Sequence, residues 1–129
     1  MSRATLTAAA SLAAGSLAGG FARYLTAVAV YRALGSAFPY GTFLVNMLGC
    51  FFIGLFDFLA VERYMLGPTA RLLLMTGFCG AFTTFSTLIL DTSYLMKSGD
   101  FLRALINVLA SVILGLLLFR LGSLAGRLV

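Results

Sequence analysis

Charged residues are so sparse along this 129-residue chain that four long runs contain none: 4–22, 33–56, 72–90 and 104–119. The runs hold 19, 24, 19 and 16 residues. The hydrocarbon core of a bilayer is about 30 Å thick, and an α-helix crosses it with roughly 20 apolar residues, within a range of about 17–25. The fourth run is short, but Arg103 and Arg120 flank it, and long cationic side chains reach the interface from inside a span. The pattern predicts four transmembrane helices. Composition agrees, because a chain that is 61% hydrophobic and 10% charged has too few polar side chains to cover a soluble domain of this size.

The spans are expected at about 4–28, 39–63, 70–96 and 101–124, forming one domain over 1–129. Pro39 suits a first helical turn, since its fixed φ is already helical. "LGPT" at 66–69 and "KSGD" at 97–100 carry turn chemistry. The first 20 residues, with Arg3, an apolar run and small residues, look like a secretory leader. More membrane follows them, so a first span is expected instead. The net charge of +5 comes from residues scattered at helix ends, which anchor spans and form no nucleic-acid patch. Cys50 and Cys79 fall inside spans, and the chain has no His. Packing thiols are therefore expected, not a redox pair or a transition-metal centre. No enzyme is expected.

The orientation signal is nearly absent. With four spans, Arg3, Arg63, Arg71, Arg120 and Arg127 share one side, and Arg23, Arg32, Lys97 and Arg103 share the other. Lys and Arg bias sets the orientation of membrane proteins, and five against four gives almost none. Either the chain inserts both ways, so that opposite copies pair about a two-fold axis in the membrane plane, or so small a tally is noise.

Polar groups inside hydrocarbon cost several kcal/mol unless protein or water covers them, so each one asks for a reason. Asn46, within "GTFLVNMLGCFFIG" at 41–54, offers donors and an acceptor either to another helix or to a passing anion. Asn107 and Ser111, at i and i+4 with Gly115 continuing the row, make a small polar stripe for packing or for lining a path. Arg23 is a snorkelling anchor or part of an electropositive mouth. Asp57, Glu62 and Asp91 lie toward span ends.

The densest cluster is "TGFCGAFTTFST" at 76–87. At about 100° per residue, Phe82, Phe85 and Ser86 share one helix face, and Thr83, Thr84 and Thr87 share another. Gly77 and Gly80 precede them. Each Gly costs roughly 1 kcal/mol against Ala in a helix interior, and hydroxyls compete for backbone groups. A break around Gly77–Gly80 is one reading, with loosened carbonyls able to hold a cation. A glycine packing face with hydroxyls bonded back to the i−4 carbonyls is the other. Aromatic edges are electropositive, which makes Phe82 and Phe85 the pore candidates among twelve Phe.

Together with "GGFARY" at 19–24 and "NVLASVILG" at 107–115, these segments resemble the Fluc (CrcB) fluoride channel family, in family order and across all four spans. The resemblance implies an all-α membrane fold with a broken third helix, assembled as an antiparallel dual-topology homodimer with two fluoride pores. It implies a bacterial inner-membrane location and passive export that lowers cytoplasmic fluoride. It implies a structural sodium ion at the dimer centre, on backbone carbonyls that match Gly77 and Gly80. The family's pore residues match Asn46, Phe82, Phe85, Thr83, Thr84, Ser86, Thr87 and Ser111, with Arg23 toward the mouth. Asn107 stands where many members carry Tyr, and Asp91 where Glu is common.

Two other classes fit the size. A small dual-topology multidrug transporter works through a membrane-embedded Glu in its first helix, and residues 4–31 contain no acid. A membrane assembly subunit would use its polar groups only as adhesive between helices.

Overall fold

A computed structural model describes residues 2–129 and is all-helical. Helix α1 covers Arg3–Leu34, α2 Tyr40–Val61, α3 residues 68–82, α4 Phe85–Lys97 and α5 Phe101–Ala125, with a closing turn of 3₁₀ helix at Gly126–Leu128. Four helical stretches are long and apolar enough to cross a bilayer: Arg3–Leu34, Tyr40–Val61, Pro68–Lys97 and Phe101–Leu128. This is the architecture of a multi-pass membrane protein.

Local chemistry sets the ends. Ser2 caps α1, accepting from the Thr5 amide at 3.2 Å, which satisfies a donor the first turn leaves bare. The same helix runs six residues past the expected end at Val28 and stops at Gly35, whose φ of 75° suits glycine. Nothing between Val28 and Leu34 breaks a helix, so it continues until the first residue that does. Pro39 sits just ahead of α2 and takes the Phe43 amide on its carbonyl. Pro68 opens α3, and Asp100 caps α5 through the Arg103 amide at 3.2 Å. Arg71 reaches back to the carbonyls of Leu66 and Ala60, closing the α2–α3 connection.

Lipid tails are as apolar as Leu, so helices associate in a membrane through close fit and hydrogen bonds. Here α1 packs along α3 and α2 along α5, while α4 also lies against α5. Glycines make the closest crossings. A Cβ on Gly15 or Gly19 would collide with the backbone of Leu73 or Phe78 in α3, and one on Gly54 or Gly122 with the backbone of Phe119 or Phe51 across the α2–α5 pair. Large apolar side chains on the outer faces, such as Leu17, Leu102 and Leu116, are exposed, as a lipid-facing surface requires.

The third span departs from the expectation at one point. A break was expected at Gly77–Gly80, yet the chain stays helical there, as π-helix over Leu72–Cys79 and α-helix over Gly80–Phe82. The two extended residues come later, at Thr83 (φ −87°, ψ 160°) and Thr84 (φ −152°, ψ 115°). Gly77 is in helix because it serves the crossing with α1, where a Cβ would meet Gly15 Cα and the Leu12 carbonyl, each at 3.0 Å.

Candidate functional site

Extended backbone in the middle of a span needs partners for its amide and carbonyl. Asn46 on α2 supplies both to Thr84. The Thr84 amide donates to Asn46 Oδ1 at 2.7 Å, and Asn46 Nδ2 donates to the Thr84 carbonyl at 3.0 Å. The side-chain amide thus acts like a neighbouring strand, and the two bonds fix which way it points. One N–H of Asn46 is left over. Gly49, one turn along α2, makes room, since a Cβ there would strike the Thr83 methyl.

The hydroxyls divide by what their protons do. Thr83 donates to the Cys79 carbonyl at 2.9 Å, beside the Thr83 amide on the same oxygen. Thr84 caps α4, accepting the Thr87 amide at 3.2 Å while its proton goes to Thr87 Oγ1 at 2.9 Å. Ser86 is exposed and, with the Thr84 proton committed to Thr87, donates its own to Thr84 Oγ1 at 3.3 Å. Thr87 therefore keeps its own proton, and Ser111 Oγ has no partner among the described residues. Because the Thr84 amide turns to Asn46 and the Thr87 amide to Thr84 Oγ1, the carbonyls of Gly80 and Thr83 lose the amides that would have followed them in a continuous helix.

Asn46, Gly80, Thr83, Thr84, Phe85 and Ser111 line a groove of about 450 Å³, open along one side, with Leu88, both cysteines and two methionines, while Ser86 and Thr87 lie off it. Phe82 is not on it. It is 3% exposed and stacks on Phe78, centroids 5.6 Å apart at 8°, whereas Phe85 is 75% exposed. The single face expected for the two rings assumed an unbroken helix. Two extended residues between them reset the phase, so one ring enters the core and the other leaves it.

Asn107 is also off the groove. It is 1% exposed and donates to Thr92 Oγ1 at 2.9 Å. Thr92 gives its only proton to the Leu88 carbonyl at 2.7 Å, so it can only accept from Asn107. The Asn107 oxygen is thereby turned away from Thr92 and has no partner among the described residues. Arg23 is half-buried on α1 and does not line the groove. Asp91 accepts from the Thr42 hydroxyl at 2.6 Å, tying α4 to α2. Sequence reasoning did not single out Thr42, Thr92 or Leu88. A Thr four residues before Asn46 was the available signal for the first, and the i−4 back-bond of a mid-helix Thr for the second.

The sequence model of the family described as "CrcB-like protein, Camphor Resistance (CrcB)" matches residues 10–123. The chain belongs to the CrcB family. A CrcB relative from Magnetococcus marinus is 47% identical over 118 residues, covering 92% of this chain and 96% of its own. One from Chlorobaculum tepidum is 49% identical over 115 residues, 89% and 90% of the two chains, and one from Maridesulfovibrio salexigens 45% over 118 residues, 92% and 94%. Each carries the name fluoride-specific ion channel FluC. The matched region contains every element of the groove.

Proposed function

We propose that this chain forms a fluoride-selective channel through which fluoride leaves a bacterial cell passively across the inner membrane. The observation that carries the reading is the Asn46–Thr84 pairing, which sets polar groups on the wall of a largely apolar groove at mid-span, in a chain whose relatives are named as fluoride-specific channels. Fluoride is small and strongly hydrated, so a path must replace its water with donors at short range and release it again. The remaining N–H of Asn46, the protons of Thr87 and Ser111 and the electropositive edge of Phe85 are neutral donors of that kind, and Ser86 can add its proton by turning from Thr84. Thr83 and Thr84 hold the backbone that shapes the path.

The working unit is an antiparallel homodimer of dual topology with two pores. Thr76, Gly80, Phe85 and Ser86 are exposed on the third span, and polar groups at that depth call for protein cover. A second copy inserted the other way fits the five-to-four Lys and Arg count. A sodium ion at the dimer centre fits one end of the expected site. The Gly80 carbonyl lies in the last turn of α3, and Gly80 is exposed, with only the Met75 carbonyl oxygen, at 3.9 Å, near where a Cβ would sit. The Gly77 carbonyl takes the Gly80 amide, and Gly77 is buried against α1, but a carbonyl has a second lone pair, so Gly77 and Gly80 remain the carbonyls proposed for the cation. There it would add fixed positive charge beside the path.

Efflux from proteoliposomes loaded with fluoride, followed with a fluoride electrode, tests the reading. Fast fluoride release with chloride retained is expected. No release from folded, reconstituted protein ends the proposal.

A further inference from the structure

The groove has a second chemistry that fluoride does not use. The chain has two cysteines and five methionines, and Cys50, Cys79, Met47 and Met75 all line this one groove. Both thiols are free. Met75 and Cys79 are four residues apart in the π-helical stretch of α3, so their side chains share a side. Met47 and Cys50 converge on Gly115, whose missing Cβ leaves Cys50 Sγ 3.2 Å and the Met47 methyl carbon 3.7 Å from the position it would have filled.

From this cluster we infer that the groove is a binding site for a soft monovalent d¹⁰ cation, of the Ag⁺ or Cu⁺ class, and that a bound ion obstructs the passage beside Thr83 and Thr84. Thiolate and thioether sulfur select such ions, whereas hard cations need oxygen. The chain has no His, and among the described residues no group of three His, Cys, Asp or Glu gathers to hold a metal ion, so the donors this groove offers are the sulfurs of two Cys and two Met. Binding is a proton-for-metal exchange. One cysteine releases its proton to water, its sulfur lone pair forms the metal bond, and nothing is oxidised. One thiolate and one monovalent cation make a neutral unit, which suits a site walled by apolar helices. The second thiol and the thioethers then complete the coordination without adding charge.

The test uses purified, reconstituted protein and silver nitrate in chloride-free medium, with silver counted by elemental analysis after desalting and fluoride efflux measured in parallel. Wild type should retain about one silver ion per chain and lose its efflux. The Cys50→Ala/Cys79→Ala double variant should retain none and keep its own metal-free rate. Met47→Leu/Met75→Leu, which conserves volume, should hold silver about tenfold less tightly. Wild type that retains no silver, a cysteine-free variant that retains as much, or silver retained without slower efflux overturns the inference. If no protein passes fluoride before silver is added, the channel reading fails, and the silver count alone decides this one.

Discussion

At the scale of single residues, Asn46 does two jobs with one amide. It pairs both backbone groups of Thr84 and keeps one N–H. Asn46→Ala should cost about 1–3 kcal/mol, the penalty for leaving buried backbone groups unpaired, and should abolish fluoride efflux. Thermal unfolding in detergent reads the first effect and proteoliposome efflux the second. The hydroxyls should separate in the same assay. Thr83→Val removes a proton whose partner is the Cys79 carbonyl and should leave efflux within about twofold. Ser111→Ala removes one that has no protein partner, and the loss of a donor worth about 1.4 kcal/mol is tenfold. Equal losses in the two variants would contradict the division of roles. The sequence showed that Asn46 and these hydroxyls stand inside spans. It did not show which protons are free, because that depends on partners one or more helices away.

Among elements, close crossings hold α1 to α3 and α2 to α5. Gly122→Ala places a methyl against the Phe51 backbone and should destabilise by about 1–3 kcal/mol, the usual cost of overpacking. Gly67→Ala, with open space around it, should be neutral in the same thermal unfolding experiment. The third span shows where reading from sequence stops. Glycine propensity pointed to Gly77–Gly80, since two glycines in four residues weaken a helix locally. The weakness at Gly77 is instead used to bring α1 close. The chain becomes extended only at Thr83–Thr84, where another helix offers a donor and an acceptor together. A helical wheel cannot carry phase across that point, which is why Phe82 and Phe85 part company.

For the whole molecule, the four spans were legible because charge spacing and bilayer thickness decide them without any tertiary knowledge. The assembly is a matter of topology, and the expected outcome is concrete. Tags on the C-terminus should be found on both sides of the membrane in whole cells, in comparable amounts. A single orientation would rule out the antiparallel pair while leaving the groove of each chain intact.

The pairing of Asn46 with Thr84 also bears on how the third span crosses the membrane. The stretch Pro68–Lys97 has 30 residues, but α4 has only 13, about 20 Å of helix, and α3 is similar. Neither piece alone reaches across a bilayer of about 30 Å. The two pieces therefore span the bilayer only as a pair, joined through Thr83 and Thr84. Only when α2 lies alongside can Asn46 take the Thr84 amide and carbonyl. The groove beside Thr83 and Thr84 is thus conditional on the contact between two spans, and any change that separates α2 from the third span removes it.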